Sequence, residues 1–263
     1  MSISLIPSPA TTTPSAVESL WTLVDEARPE GYPAGVATGL VVPPDTVATE
    51  GWFPATKLVD GSLLPALLDE PVRRWGAPPH AAAALSWKAY TYWLCLPAVL
   101  GYARLRRIPV WDADNTVVRL CEDVPYLMLG MRYPAVAVLE SDPLAGQPGT
   151  MVVSSEAELL QMLRESVVDR HLEPLLRATR AQVRVGSRIL WGALASSVAY
   201  AMTLAPNVDQ IATAKVLLEA LGTPDLVELV PGPDGATGVR RRTCCLAFTA
   251  PSLTICADCC IRR

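Results

Sequence analysis

Residues 79–107 read PHAAAALSWKAYTYWLCLPAVLGYARLRR, and this stretch decides the fold. It is almost entirely apolar until its basic C-terminal end. The apolar part, residues 81–103, has about the length of a bilayer span. It contains Lys88 and Pro97, however, and a lysine near the middle of a span is costly. The stretch therefore predicts a buried core helix and no transmembrane span.

Composition sets the broad class of the protein. The chain has 263 residues, 51% of them hydrophobic, which is enough to bury a substantial core. The net charge of −4 argues against nucleic acid as a partner, because nucleic-acid-binding domains carry a basic excess. The N-terminus has neither the basic nor the apolar region of a secretory signal. We therefore expect a cytoplasmic protein, whose cysteines are more suited to metal binding than to disulfides.

Signals for helices and strands occur on both sides of the long helix. Ser15 with Glu18, and Ser155 with Glu158, have the spacing of capping boxes and predict helix starts. Further predicted helices cover 169–182, 187–204 and 208–221, and predicted strands cover 38–42, 108–111, 116–121, 126–131, 135–140 and 151–153. The pattern predicts an α+β fold that is predominantly α: a helical bundle packed with a small, mainly antiparallel sheet and a C-terminal cysteine loop.

The same signals suggest a division of the chain. Residues 1–14 are Ser/Thr/Pro-rich and predict a flexible arm. We expect a mixed α/β part at 15–153, a helical part at 154–230 and the cysteine segment at 231–263. Prolines and glycines from Pro231 to Gly238 indicate a linker into that last segment.

The last twenty residues hold five of the seven cysteines. Cys244, Cys245, Cys256 and Cys259 form the pattern C-C-x10-C-x2-C, an all-sulfur set that suits zinc, copper(I) or an iron–sulfur cluster. A structural zinc site is usually built from two C-x2-C turns, and only Cys256 and Cys259 make one here. The side chains of a vicinal pair diverge and suit a cluster with two metal ions better than a single ion. The sequence therefore favours an iron–sulfur cluster, and zinc binding and thiol chemistry remain as alternatives.

Arginines flank the cysteines on both sides: Arg240, Arg241, Arg242, Arg262 and Arg263. A thiolate-bound two-iron cluster is negative in both oxidation states. Cations close to it favour the reduced state and raise its potential. The alternative is that these arginines are simply solvated.

The motif resembles that of the FhuF-like siderophore-iron reductases, which bind a C-terminal 2Fe-2S cluster. The matching residues are Arg241, Cys244, Cys245, Leu246, Phe248, Cys256 and Cys259. Segments beginning at His171 (HLxPL) and Arg188 (RxLWG) are similar to upstream parts of that family, so the resemblance covers most of residues 60–263. Two positions depart from the pattern, since Cys260 stands where proline is common and Phe248 where tyrosine is frequent.

The resemblance implies a fold, an activity and partners. It implies that the cysteine loop is an iron–sulfur loop in which Cys244, Cys245, Cys256 and Cys259 bind a 2Fe-2S cluster. Cys95, Cys121 and Cys260 would be dispensable, with Cys260 the alternative to Cys259. The implied reaction is one-electron reduction of Fe(III) in a siderophore, of hydroxamate type, with release of Fe(II) in the cytoplasm. A ferredoxin or ferredoxin reductase would be the donor, since the sequence has no glycine-rich dinucleotide motif.

The substrate pocket is the least defined part of the sequence. A large polar chelate calls for cations and aromatic residues, and the candidates are Arg104, Arg106, Arg107, Trp111, Arg184 and Arg188. Two other functions compete with reduction. The cluster or a zinc ion could be a structural staple for a partner-binding helical domain. The upstream part also distantly resembles siderophore-biosynthesis condensing enzymes, although those lack this cysteine tail.

Overall fold

The computed structural model describes residues 14–30, 33–232, 236–256 and 259–261. Arg262, Arg263 and nearly all of the predicted arm lie outside the described residues. The helices are α1 (Ala16–Ala27), α2 (Pro44–Thr49), α3 (Thr56–Val59), α4 (Leu64–Trp75), α5 (Pro79–Leu105), α6 (Glu156–Leu163), α7 (Glu173–Gln182), α8 (Ser187–Thr203) and α9 (Gln210–Ala220). The strands are β1 (Val36–Val41), β2 (Phe53–Pro54), β3 (Arg107–Pro109), β4 (Thr116–Leu120), β5 (Leu127–Met131), β6 (Val136–Leu139), β7 (Thr150–Val153), β8 (Val227–Pro231) and β9 (Thr237–Arg241).

Helix α5 lies at the centre of the fold and is buried over most of its surface. Pro79 stands in its first turn, where the missing N–H of proline costs no hydrogen bond. The helix ends at Leu105 because Arg106 adopts a left-handed conformation (φ 53°), and strand β3 starts at the next residue. The predicted buried helix is thus confirmed. No helix in the described ranges is long and apolar enough to cross a membrane.

Helix α8 is the main partner of α5. Its buried face is rich in small residues, which allow the two backbones to approach closely. Thr91 of α5 and Ser197 of α8 share a buried hydrogen bond of 3.0 Å. Trp87 and Trp191 pack edge to face with ring centroids 6.3 Å apart. One core therefore joins residues of the predicted mixed α/β part to residues of the predicted helical part.

The strands before α6 form two sheets, where the sequence indicated one. The first has the order β1-β5-β4-β2 and the second β3-β6-β7. Most pairings are antiparallel, but β1 with β5 and β6 with β7 are parallel. The split occurs after β3, where the Asp112 carboxylate and carbonyl accept from the N–H groups of Asn115 and Thr116 and turn the chain into the other sheet. The predicted class, predominantly helical α+β, is confirmed.

Two local features differ from the sequence prediction. Helices α6 and α7 are joined by a π-helical segment, Arg164–Leu172, so the chain stays helical from Glu156 to Gln182. Strands β8 and β9 form an antiparallel hairpin across the predicted linker, with Val227 opposite Arg241. Pro231 ends β8 and Gly238 lies within β9, so these two residues belong to strands and not to a linker, while Pro233 and Gly235 lie outside the described residues.

The π-helical segment places His171 in the core, where it is completely buried. Its Nε2 lies 2.7 Å from the Tyr90 hydroxyl of α5, and its Nδ1 contacts the carbonyl oxygen of Trp111. The carbonyl can only accept, so Nδ1 carries the hydrogen and Nε2 accepts from Tyr90. Burial lowers the pKa of His171 to about 4, although the Trp111 carbonyl and Asp112 favour the charged form. His171 is therefore a neutral structural residue at physiological pH.

This burial predicts a pH-dependent stability. The unfolded chain protonates His171 near pH 6.5 and the folded chain only near pH 4, so the unfolded state binds more protons between these values. Stability is complete above about pH 6.5 and falls as the pH drops. We expect His171 to contribute a loss of about 2 kcal/mol between pH 7 and pH 5. Urea unfolding at both pH values measures it.

The other histidine supplies the control for this experiment. His80 is exposed at the start of α5. We expect His80→Gln to keep the pH dependence and His171→Gln to lose most of it, in addition to being less stable at pH 7. An unchanged pH dependence in His171→Gln would contradict the assignment.

Candidate metal centre

The cysteine segment follows hairpin β8–β9. Strand β9 ends at Arg241, and the chain then passes through Cys244 and Cys245. Leu246 takes a left-handed conformation (φ 61°) and starts a short 3-10 helix, Ala247–Thr249. Further on, the N–H of Cys259 donates to the carbonyl of Cys256 at 3.2 Å, which closes the C-x2-C turn. Two turns therefore present the two halves of the motif.

The loop between the cysteine pairs lies against the start of α5 and the end of α4. Ala250 is buried in a small apolar cluster with Ala81 and Leu85 of α5. The hydroxyl of Ser252 donates to the carbonyl oxygen of Trp75, the last residue of α4, at 3.0 Å. These contacts fix the loop on the helical core, and the cysteines with it.

Helix α8 meets the segment at a second place. A Cβ atom added to Gly192 would lie 2.5 Å from both Cβ and Cγ2 of Thr243, the residue before Cys244. Real Cβ atoms do not approach other carbons so closely, so the absence of a side chain at Gly192 allows the segment to reach α8. The glycine of the RxLWG sequence that begins at Arg188 is thus explained by this close packing against Thr243.

The four motif cysteines lie close together. The sulfurs of Cys245 and Cys256 lie 3.8 Å apart, and the thiol of Cys244 neighbours that of Cys259. Two sulfurs bound to one tetrahedral metal ion, with bonds of about 2.3 Å, lie about 3.8 Å apart. Among the described residues, no three His, Cys, Asp or Glu side chains converge as a ready site for a single ion.

Burial and neighbouring charges give the thiols different acidities. Burial raises the pKa of Cys244 to about 11, and the thiols of Cys259 and Cys245 add to this rise although the Leu246 N–H opposes it. Burial also acts against ionisation of Cys245, but a hydrogen bond from Ala247 N–H and the charge of Arg241 hold its pKa below the usual value. Among Cys244, Cys245 and Cys256, Cys245 is therefore the thiol best prepared to be a thiolate.

Arg241 differs from the arginines beside it in the sequence. It is only 2% exposed, and its guanidinium interacts with the Cys245 thiol, but its Nε and Nη2 have no well-aligned acceptor among the described residues. The hydroxyl oxygen of Thr243 is also buried and has no hydrogen-bond partner among the described residues. Buried donors without partners are costly, and here they lie next to the vicinal cysteines. A cluster whose sulfurs accept hydrogen bonds fits this arrangement.

The other arginines predicted to affect a cluster are placed differently. Arg240 and Arg242 are exposed and both contact Glu228, at 3.6 and 3.4 Å. The two arginines and Glu228 line an open cavity of about 840 Å³ together with Cys260. Arg262 and Arg263 lie outside the described residues.

The two cysteines far from the motif in sequence belong to other parts of the fold. Cys95 is buried in α5, and burial raises the pKa of its thiol to about 12. Cys121 directly follows β4, and its carbonyl oxygen accepts from Arg74 at 2.8 Å.

The predicted substrate residues do not form one group. Arg106 contacts Glu156 at 3.0 Å, and the buried Arg107 donates to both oxygens of Asp142 at 2.7 and 2.9 Å. Trp111 is completely buried. Neither Arg107 nor Trp111 thus offers its side chain to a docked ligand.

The exposed candidates lie in two places. Arg104 is near the C-terminal end of α5. It lies 16 residues, or about 24 Å along the helix, from Lys88, which is on the part of α5 near the cysteine segment. Arg184 precedes α8, and Arg188 lies on it one turn before Gly192. Of the six candidate residues, Arg188 therefore lies nearest to the place where α8 meets the cysteine segment.

Sequence reasoning missed Lys88 as a site residue. It is half-buried on α5. Burial and the Cys245 thiol raise the pKa of Cys256, and the charge of Lys88 partly opposes this rise and also contributes to the lowered pKa of Cys245. A lysine inside an apolar helix was the available signal, because such a charge requires a partner or a polar neighbourhood.

These features define a mainly helical protein whose C-terminal cysteine segment packs on its two central helices. Residues 86–226, more than half of the chain, match the family described as "Ferric iron reductase FhuF-like transporter". The chain belongs to this family, which confirms the predicted resemblance, and the family name indicates a ferric iron reductase. The match spans most of α5 through α9 and ends before the C-terminal cysteine motif. A search of curated proteins found no match.

The Gly192 contact predicts a sensitive position. Gly192→Ala should push Thr243 and the vicinal cysteines away from α8, at a cost of about 1–3 kcal/mol for an overpacked contact. We expect a lower melting temperature and a reduced metal content per chain, measured by calorimetry and elemental analysis. Gly186→Ala is the matched control, because its added Cβ meets nothing closer than 3.9 Å. Equal behaviour of the two variants would contradict the close approach.

Proposed function

We propose that this protein reduces siderophore-bound Fe(III) to Fe(II) through a 2Fe-2S cluster held by Cys244, Cys245, Cys256 and Cys259. The observation that carries the proposal is the group of four cysteine thiols beside the buried Arg241, in a chain of a ferric iron reductase family. Such a cluster supplies one electron at a time, which is what the conversion of Fe(III) to Fe(II) requires.

The chemistry of release rests on ligand preference. Hard oxygen donors, such as those of a hydroxamate siderophore, hold Fe(III) much more tightly than Fe(II). One electron therefore converts an almost irreversible chelate into a labile one, and the protein needs no general acid or base for this. Its residues have to hold the cluster, shield it and bring the chelate close.

The cavity beside Cys260 supports a place for the chelate. Its volume of about 840 Å³ falls within the range of small-molecule sites, and Arg240 and Arg242 line it. Cys260 follows Cys259 directly, so a molecule in this cavity lies next to the proposed cluster. We propose that the ferric siderophore docks here, with Arg188 as a further candidate contact and Arg104, Arg106 and Arg184 less favourably placed.

The electron has to come from another protein. Exposed Arg240 and Arg242 form part of a local basic surface on a chain whose net charge is −4. Such a surface attracts acidic partners, and a ferredoxin-type donor has this character. We propose a ferredoxin or ferredoxin reductase as the donor and the cytoplasm as the compartment of iron release.

A structural staple is the second candidate function. It is favoured by the contacts of Ala250 and Ser252, which tie the cysteine loop to α5 and α4. A bound zinc ion or cluster would strengthen this connection without electron transfer. The two functions differ in colour, in redox activity and in the effect of siderophores.

Ligand exchange tests the cluster assignment. The purified protein should be red-brown, with two irons and two acid-labile sulfides per chain. Cys244→Ser, Cys245→Ser, Cys256→Ser and Cys259→Ser should each bleach it or change its visible spectrum. Cys95→Ala, Cys121→Ser and Cys260→Ser should leave the spectrum unchanged. A colourless protein with one zinc would contradict the assignment, and an unaffected Cys259→Ser variant would transfer the ligand role to Cys260.

Reoxidation tests the reaction itself. The dithionite-reduced protein, mixed without oxygen with a ferric hydroxamate siderophore, should be reoxidised and release one ferrous ion per cluster, trapped with a ferrous chelator. The matched gallium(III) siderophore is the control, because gallium(III) has the size and charge of Fe(III) but accepts no electron under these conditions. A cluster that no siderophore of a broad panel reoxidises would favour the staple.

A further inference from the structure

Arg240 and Arg242 share one carboxylate. Glu228 of β8 lies directly opposite Arg240 of β9 in the antiparallel hairpin, where side chains on one face are neighbours. Arg242 follows β9, and its backbone N–H donates to the carbonyl oxygen of Leu226 at 3.1 Å, which keeps it beside the same strand. The two guanidinium groups reach the same oxygen of Glu228, Oε2, at 3.6 and 3.4 Å. Among the described residues, no other carboxylate lies within 4.0 Å of either group.

A second carboxylate of this protein also pairs with two arginines, but its setting is different. Glu70 on α4 contacts Arg73 and Arg74, and its side chain is only 5% exposed. The side chain of Glu228 is 42% exposed, and both of its arginines are exposed as well. The carboxylate of Glu70 is therefore enclosed, whereas that of Glu228 can meet a ligand.

The shared carboxylate faces the cavity beside Cys260. In the part of the chain that the structure describes, Glu228, Arg240, Arg242 and Cys260 line this space of about 840 Å³. Two arginine cations against one carboxylate leave this lining with a net charge of +1, and without the carboxylate it would be +2. Arginine binds anionic oxygen groups through its fork of N–H donors. The carboxylate thus controls how strongly the cavity attracts anions.

Ferric chelates differ widely in charge. Fe(III) bound by three hydroxamates is neutral, because each hydroxamate carries a single negative charge. The same ion bound by three doubly charged catecholates is a trianion. A carboxylate in the binding cavity repels the trianion and has little effect on the neutral chelate. Binding sites use such repulsive groups to reject competing ligands.

We propose that Glu228 is a specificity-determining residue of this cavity, which disfavours strongly anionic ferric chelates and so favours neutral ones. This inference rests on the proposed docking of the ferric siderophore in the cavity and does not depend on the cluster. The carboxylate repels an anionic chelate directly, and it also occupies N–H donors of Arg240 and Arg242 that would otherwise bind the chelate. A neutral chelate lacks the charge on which both effects depend.

Equilibrium binding of gallium(III) chelates to the purified protein tests the proposal, because gallium(III) accepts no electron and binding is thus separated from reduction. The probes are a gallium trihydroxamate without other charged groups and a gallium tris-catecholate. We expect Glu228→Gln to tighten binding of the tris-catecholate about three- to tenfold and to change binding of the trihydroxamate by less than about twofold. Added salt should reduce the first change, because exposed charges are screened.

Three further variants check that the charge of Glu228 is responsible. Glu228→Asp keeps the carboxylate and should keep the wild-type ratio of the two affinities. Glu50→Gln removes a carboxylate that pairs with Arg119 at 2.9 Å, away from the described lining of the cavity, and should change either affinity by less than about twofold. Arg242→Gln should act in the opposite direction and weaken the tris-catecholate more than the trihydroxamate.

The outcomes separate this inference from the proposed reduction. Equal changes for both probes in Glu228→Gln would indicate a structural role in the hairpin and overturn the proposal. An unchanged ratio of affinities, or a wild-type protein that binds neither probe, would overturn it too, even if the cluster forms. A protein that shows the expected charge dependence but has no iron–sulfur cluster would support the role of Glu228 and contradict the proposed reduction.

Discussion

The packing of α5 against α8 is the contact on which the rest of the molecule depends. Because α5 is buried over most of its length, the elements packed around it take their positions from it. Its C-terminal end leads directly into the second sheet, and its N-terminal half receives the cysteine loop through Ala81 and Leu85. Helix α8 completes the arrangement, since Gly192 lets the residue before Cys244 approach its backbone.

This arrangement buries the positively charged side chain of Arg241 in the protein interior. A buried arginine with unpartnered donors is unfavourable unless a negative group accepts from it. Next to Cys245 that group would be a thiolate or a cluster sulfur, and the charge of Arg241 would then stabilise it. The positive charge of Lys88, on α5, also favours the thiolate form of Cys245. The centre thus links folding of the C-terminal segment to the electrostatics of the proposed electron transfer.

Much of the local structure could be predicted because it depends on neighbours in sequence. The capping boxes at Ser15 and Ser155 start α1 and α6 as predicted, and the apolar stretch 79–107 forms α5. The sequence analysis made no prediction for α4, which contains the internal Pro71, and it missed the hairpin β8–β9. Strand pairing across a proline- and glycine-rich connection depends on the surface that it packs on, which no local pattern contains.

The cysteine motif by itself predicted the family, an all-sulfur donor set and cations beside it in sequence, because these depend on residue type and spacing. Only the tertiary structure decided which of these cations is buried. Strand alternation buries Arg241 and exposes Arg240 and Arg242, and the contact of the cysteine loop with α5 adds Lys88, more than 150 positions away in sequence. Charge effects depend on distance and burial in space, and folding sets both.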